Sequence, residues 1–163
     1  VTTYKSSSKA PSLDLDKFKQ LNDSAGHDPG DDTLRQLADC FRQELRGVDM
    51  AAALGGDELV LILSQAYVEG ALIVAERLRS RVVQIKIPGF GNLSTSIGIA
   101  AFPSHATSRA TQVLAADAAL YSAKRAGRNR ICVVEHSRGN LDQSSAPIPS
   151  THDEVTDMAD PSM

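Results

Sequence analysis

The stretch Leu54–Leu63, LGGDELVLIL, places two glycines and two carboxylates directly before an apolar run. Paired glycines favour a tight turn, because glycine adopts backbone angles that other residues avoid. The run ELVLIL is apolar on both faces, which is typical of a strand inside a sheet. The preceding VDMAAAL, residues 48–54, has the composition of a partner strand. The stretch therefore predicts a β-hairpin that carries Asp57 and Glu58 at its turn.

Carboxylates at the edge of a buried strand are costly to desolvate unless a cation meets them. For this motif alone, the alternative is a solvated aspartate in an ordinary turn. A second acidic site comes earlier in the chain, where SLDLD puts Asp14 and Asp16 on one face of a short strand. We interpret Asp16 as the N-cap of the following helix, which leaves Asp14 at the strand end. If this strand neighbours the hairpin, Asp14 and Asp57 can share a hard cation such as Mg²⁺.

Basic residues near the end of the folded region complement these acids. In AKRAGRN, Lys124 and Arg128 lie four residues apart about a helix end, so both can reach one anion such as a phosphate. The alternative is a solvated basic helix end.

Length and composition predict one folded domain with terminal extensions. The chain has 163 residues, of which 42% are apolar and 23% charged, enough for one sizeable core. We expect a flexible arm over residues 1–11, a domain over residues 12–135 and a disordered tail over residues 136–163. SAGHDPGDD, residues 24–32, is interpreted as a turn. Further elements are predicted as helices over 16–23, 33–45, 68–85 and 108–127, and as strands over 93–102 and 128–135. This order indicates an α+β or α/β sheet covered by helices.

The charge and the cysteines exclude several classes of protein. A net charge of −3 gives no electrostatic footprint for DNA or RNA. Cys40 and Cys132 lack metal-ligand spacing, which indicates free thiols and a cytoplasmic location, either alone or as part of a larger protein. No apolar run approaches the roughly 20 residues that a membrane span needs.

Four motifs together resemble one family. LDLDKFKQLND, GHDPGD, GGDEL and DAALYSAKRAGRN stand in the order and spacing of GGDEF domains, the diguanylate cyclases, over about Ser12 to Glu135. The resemblance implies an α+β fold with a central five-stranded, mostly antiparallel sheet flanked by helices, similar to the palm of nucleotidyl cyclases. It also implies that two GTP molecules condense into cyclic di-GMP with release of pyrophosphate. Each subunit of a homodimer would hold one GTP.

The resemblance further implies roles for individual residues. Asp14, Asp57 and the Leu15 carbonyl would bind Mg²⁺ or Mn²⁺, with Glu58 near the metal and the reacting 3′-hydroxyl. The remaining roles are guanine recognition by Asn22 and Asp31, phosphate binding by Lys124 and Arg128, close backbone approach at Gly55 and Gly56, and completion of the substrate motif by Phe18 and Lys19, with Phe18 mainly packing.

A second site is suggested by RGVD, Arg46 to Asp49, upstream of the hairpin. The pair has the Arg-x-x-Asp form and the spacing of the family's inhibitory site, which binds the product. Arginine binds phosphate or purine edges, and aspartate accepts from guanine N–H groups. Arg77 or Arg79 would supply a further guanidinium. The alternative for Arg46 and Asp49 is a salt bridge at a helix end.

Of three departures from the family pattern, the one at the first strand leads to an alternative function. Ala53 stands where the family usually has arginine, Leu59 replaces phenylalanine, and SSSKAPS stands where an apolar first strand is usual. We therefore expect a short or frayed first strand that holds Asp14 less well. The alternative is a degenerate GGDEF domain that binds cyclic di-GMP or GTP as a regulatory module without turnover. A non-binding interaction domain is a third reading, which the intact acids argue against.

Overall fold

A computed structural model describes residues 8–134 of the chain. Its helices and strands are β1 (Ser8–Asp16), α1 (Phe18–Ala25), α2 (His27–Glu44), β2 (Met50–Ala53), β3 (Glu58–Ser64), α3 (Val68–Gln84), β4 (Lys86–Ile87), β5 (Gly91–Asn92), β6 (Ser94–Phe102), α4 (Arg109–Arg125) and β7 (Ile131–Val133).

One five-stranded sheet organises the domain, in the order β2-β3-β1-β6-β7. Its first four strands pair antiparallel, and β7 joins β6 in parallel. The predicted hairpin is confirmed as β2 and β3, and β3 lies inside the sheet as expected. The α+β prediction with a mostly antiparallel five-stranded sheet is therefore confirmed. The small ladder of β4 and β5 was not predicted.

The two faces of the sheet are covered by different helices. Leu13 of β1 pairs with Ile97 of β6, and both are fully buried in a core shared with residues of α1, α2 and α3. On the opposite face, Ser12 pairs with Gly98, against which α4 lies. A Cβ at Gly98 would overlap with backbone atoms of α4, so only glycine permits this close approach. The approach brings α4 onto the face of β1 that carries Asp14 and Asp16.

The first strand differs from its expectation. β1 has nine residues, and all except Ser8 are buried, so the prediction of a short or frayed strand is wrong. The arm expected over residues 1–11 is also wrong for residues 8–11, which belong to β1; residues 1–7 and the tail at 136–163 lie outside the described residues. β1 is the middle strand, so neighbours on both sides satisfy its backbone in spite of its polar composition. Its ladder with β3 omits Ala10 and Pro11, as expected where proline has no N–H to donate.

Two local predictions around α1 are wrong. Asp16 ends β1 and is no N-cap; the cap position belongs to Lys17, which has φ 65° and makes no side-chain cap hydrogen bond. The turn expected over residues 24–32 is mostly helix, because α2 begins at His27. Pro29 is compatible with this start, since the first helical turn has no intrahelical acceptor for its N–H groups.

Candidate active site

The hairpin turn is joined to the end of β1. Leu54 N and Gly55 N donate to Glu58 O at 2.9 and 3.4 Å, and Leu15 N donates to Asp57 O at 3.4 Å. Asp14 stands opposite Glu58 in the pairing of β1 with β3. The expectation that the two acidic segments are neighbours is therefore confirmed, and three carboxylates lie at one end of adjacent strands.

Asp14 is the buried one of these three carboxylates. It is 7% exposed, and this burial is the main reason why its pKa lies above the ordinary value. The ammonium of Lys124, whose Nζ lies 2.8 Å from Asp14 Oδ2, lowers the pKa, whereas the charges of Asp57 and Asp16 raise it. The net rise means that the folded protein disfavours the Asp14 anion, because burial outweighs the attraction of Lys124.

The donor set suits a hard divalent cation. Over residues 8–134 there is no group of three or more His, Cys, Asp or Glu side chains that could hold a metal ion. Two carboxylates and a backbone oxygen are nevertheless what Mg²⁺ uses when water and substrate phosphates complete its shell. Asp14, Asp57 and the backbone of Leu15 therefore fit Mg²⁺ or Mn²⁺ and do not fit a structural zinc ion.

The predicted phosphate-binding residues lie at the end of α4. Lys124 reaches Asp14, as described, and also lines a cavity of about 240 Å³ together with Glu58. Arg128 is exposed and follows α4 in a turn where Gly127, Arg128 and Asn129 all have positive φ, of 115°, 62° and 47°. The fold therefore brings Lys124 to the acidic end of β1, and Arg128 lies in the turn that follows the same helix.

Asp16 joins the end of β1 to β6 and to the turn after α4, and sequence reasoning missed these contacts. Its Oδ2 accepts from Asn129 N at 3.1 Å and from Ser94 Oγ at 2.7 Å, and its Oδ1 accepts from Ser96 Oγ at 2.8 Å. The second aspartate of LDLD was the available sign of these contacts, but it was interpreted as the N-cap of the following helix.

The residues expected to recognise guanine lie between α1 and α2. Asn22 Oδ1 is buried without a hydrogen-bond partner, and Asn22 packs against Gly30 of α2. Asp31 and Lys19 are exposed. Phe18 is 6% exposed and belongs to the core, so its predicted packing role is confirmed.

Gly30→Ala should weaken GTP binding about tenfold or more and reduce its preference over ATP. The added methyl group would overlap with Asn22 Oδ1 and lie 3.1 Å from Asn22 Cγ, so the amide must move. Gly70→Ala in α3 is the matched control, because a Cβ there meets nothing within 4 Å. Calorimetric titration with GTP and ATP checks this, and unchanged GTP affinity in Gly30→Ala would argue against a nucleotide site at Asn22.

The predicted product site surrounds a cavity of about 350 Å³, lined by Arg46, Asp49 and Arg77 among others. Arg46 Nε and Nη2 donate to the two oxygens of Asp49 at 2.9 and 2.8 Å, and Nη2 also donates to Ser64 O at 2.7 Å. The helix-end salt bridge that was considered as the alternative is thus present. The salt bridge is compatible with a product site, because the Arg46 side chain remains 56% exposed and is accessible to a ligand.

The two candidate arginines of α3 point to different places. Arg77 lines the same cavity and lies 3.7 Å from Glu44. Arg79 donates to Glu76 at 2.9 and 2.6 Å and to Asn129 Oδ1 at 2.6 Å. Positions two apart on a helix face different ways, so only Arg77 accompanies Arg46 and Asp49.

Asp49→Asn should lower the free energy of unfolding by about 1 kcal/mol at pH 7, with a smaller effect in acid. The Arg46 guanidinium is the main reason why the pKa of Asp49 lies below its ordinary value of 3.8. A lowered pKa means that the anion stabilises the fold above pH 3.8 and that this contribution is lost as pH falls through the folded-state value.

Urea unfolding at neutral pH and in acid checks this expectation. Asp39→Asn is the matched control, because Asp39 and Arg42 form an ion pair of the same i,i+3 spacing with both side chains mostly exposed. A stability difference for Asp49→Asn that persists unchanged below the folded-state pKa would contradict the assignment.

Comparisons with known proteins agree with this fold and site. The family model described as diguanylate cyclase, GGDEF domain, matches residues 5–130. Diguanylate cyclase DosC of Escherichia coli K12 is 43% identical over 124 residues, which are 73% of this chain and 26% of that protein. Diguanylate cyclase A of Treponema denticola is 36% identical over 132 residues, 79% of this chain and 35% of that protein.

Solved structures give the same result. The active GGEEF domain of a diguanylate cyclase from Vibrio cholerae superposes with a TM-score of 0.75 at 32% identity, covering 80% of this chain and 85% of that one. The GGDEF domain of DgcB from Caulobacter crescentus, in complex with c-di-GMP, gives 0.73 at 30% identity, covering 79% and 78%.

These findings show that the chain belongs to the family of diguanylate cyclase GGDEF domains. It spans only about a quarter to a third of the length of the curated relatives described above. No helix within residues 8–134 is long and apolar enough to cross a membrane.

Proposed function

We propose that this domain is a diguanylate cyclase that condenses two GTP into cyclic di-GMP and pyrophosphate with Mg²⁺ or Mn²⁺, in the cytoplasm. The observation that carries the proposal is the meeting of Asp14, Asp57 and Glu58 at one end of β1 and β3, with the Lys124 ammonium on Asp14. Carboxylates for a metal and a lysine for phosphates are the groups that phosphoryl transfer requires.

Each of these residues has a distinct part in the proposed reaction. Asp14 and Asp57 would hold the metal, which when bound supplies charge neutralisation at the α-phosphate and lowers the pKa of the attacking 3′-hydroxyl. Glu58 would assist removal of the hydroxyl proton, as an alternative to activation of the hydroxyl by the metal alone. Lys124 and Arg128 would bind the phosphates and stabilise the leaving pyrophosphate. The Lys124 ammonium has three N–H donors, so it can contact a phosphate while it remains beside Asp14.

The start of α1 supports phosphate binding beside these acids. The helix begins two residues after Asp16, and its N-cap residue Lys17 makes no side-chain hydrogen bond to the first N–H groups. Free N–H groups at a helix N-terminus attract phosphate. Gly55 and Gly56 have no side chains, so a ligand could come close to the backbone of the hairpin turn at these two positions.

Guanine selectivity is assigned to Asn22 and Asp31. An aspartate accepts from guanine N1–H and the 2-amino group, whereas adenine presents an acceptor at N1 and lacks that amino group. The buried, unpaired Asn22 Oδ1 supports this assignment, because a buried polar atom needs a partner that a ligand would provide. A mismatched base would leave it unpaired.

Catalysis by this domain requires two copies, because each would present one GTP to the other. We also propose that the cavity of Arg46, Asp49 and Arg77 binds the product and restrains turnover. The DgcB structure in complex with c-di-GMP supports product binding within the family.

The decisive experiment incubates the purified chain with GTP and Mg²⁺ and separates the products by chromatography. We expect cyclic di-GMP, formed slowly unless the protein is concentrated enough to dimerise. Binding of GTP without any product at high protein concentration would favour the alternative, a regulatory GGDEF module. The main reason given for that alternative was a weak first strand, and β1 is instead long and buried.

A further inference from the structure

We propose that Asp16 is a positioning residue, which fixes the Arg128 turn beside the acidic site through its hydrogen bond with the Asn129 backbone. This inference rests on the proposed function, because Arg128 matters only if it binds the phosphates of GTP. Asp16 itself would not touch metal or substrate.

The hydrogen bonds of Asp16 with Ser94, Ser96 and Asn129 N are together called the Asp16 clamp. It is 3% exposed, and its carboxylate accepts three hydrogen bonds, from Ser94 and Ser96 of β6 and from Asn129 N. A buried carboxylate with this many donors is held in one position, since losing any of them leaves a charge unsatisfied. Its oxygen is therefore a rigid point on the sheet.

The turn of residues 127–129, which Asp16 contacts, has a backbone conformation that needs support from its surroundings. Gly127, Arg128 and Asn129 have consecutive positive φ angles, and two of them are not glycine. Non-glycine residues adopt this region at a cost, so surrounding contacts must impose it. Arg128 N donates to Ala123 O at 3.1 Å on one side, and the Asp16 bond to Asn129 N fixes the other side.

The two aspartates of β1 have complementary roles. Asp14 reaches Lys124 in the last turn of α4 and Asp16 reaches Asn129, so one face of β1 contacts the chain on both sides of Arg128. Asp14 and Lys124 would also hold the metal and the phosphates, so their contact is part of the proposed active site. The Asp16 contact with Asn129 uses neither residue, and it would hold Arg128 in place whether or not metal and substrate are bound.

The test is a double-mutant cycle that measures affinity for GTP and for guanosine by calorimetry. We expect Asp16→Ala and Arg128→Ala each to weaken GTP binding about tenfold, the size of a lost charge-assisted contact, and to leave guanosine binding unchanged. The double variant should bind GTP no more weakly than Arg128→Ala alone, because both changes remove one interaction. Asp16→Asn should retain wild-type affinity, since its amide oxygen can still accept from Asn129 N.

Several results would overturn the clamp. Additive losses in the double variant, an equal loss for guanosine, or wild-type GTP affinity in Asp16→Ala would each do so. If Asp16→Ala does not fold, Asp16→Ser replaces it, because the shorter side chain withdraws the acceptor from Asn129 N but still places a polar group beside Ser94 and Ser96. Asp39→Ala, an exposed aspartate of α2, is the control and should bind GTP normally.

Hydrogen exchange gives a readout that does not depend on GTP. The Asn129 amide should exchange slowly in wild type and much faster in Asp16→Ser, and equal rates would overturn the clamp by themselves. Failure of the wild type to bind GTP would overturn the proposed function and the phosphate role of the clamp, whereas the exchange result would still decide whether Asp16 holds the turn.

Discussion

Replacing Asp57 with alanine should reduce the conversion of GTP into cyclic di-GMP at least about 100-fold, because the metal would lose one of its two carboxylates. Asp57 lies on the hairpin turn, where Leu15 N donates to its backbone oxygen at 3.4 Å. That hydrogen bond uses the main chain, so alanine should leave the turn and the overall stability nearly intact. Turnover measured by product chromatography, together with thermal unfolding, checks both parts of the expectation.

Asp39→Ala is the control for this prediction as well, since it removes a carboxylate from the exposed face of α2. It should keep wild-type turnover. Wild-type turnover in Asp57→Ala would show that the metal assignment is wrong. Metal affinity can be read separately from Mn²⁺ binding, which should also fall in Asp57→Ala.

Arg46→Ala should lower the affinity for cyclic di-GMP roughly ten-fold to over a hundred-fold. The ligand carries two negative charges, while the protein has a net charge of −3, so binding needs local guanidinium groups. Arg46 is exposed beside the cavity of about 350 Å³ and is oriented by both oxygens of Asp49. Calorimetric titration with cyclic di-GMP measures the loss.

Arg77→Ala should weaken binding in the same direction, and Arg79→Ala is the matched control. Arg79 lies on the same helix but is held by Glu76 and Asn129, outside the cavity. Equal affinities in wild type and Arg46→Ala would refute the site. Light scattering at saturation would show whether the ligand bridges two domains, and an unchanged mass would remove only the bridging proposal.

The sequence predicted most of the fold because its strongest patterns are local. The hairpin followed from paired glycines between two apolar segments, and the helical spacing of Leu34, Leu37 and Phe41 correctly placed α2 beyond its first turns. The first strand was underestimated, because SSSKAPS is polar and contains proline. Its central place in the sheet depends on hydrogen bonds from distant strands, and no local pattern reports these.

The residues of the candidate site were likewise predicted in part from the sequence and in part only from the structure. Motif spacing singled out Asp14, Asp57, Glu58 and Lys124, and the described structure brings them to one place. Spacing left Arg77 and Arg79 equivalent, and only the contacts of α3 with Glu44 and with Asn129 separate them. Which pairs of charges meet is decided by packing between elements, and these contacts join residues far apart in the chain.

The sequence by itself determined the family, the hairpin and the residue types of the site, because these depend on spacing along one chain segment. Tertiary structure alone decided that Asp16 binds the Asn129 backbone instead of capping α1, a contact between residues 113 positions apart. The reason is physical: a carboxylate has several possible donors, and burial at the meeting of β1, β6 and the turn after α4 selects which of them it keeps.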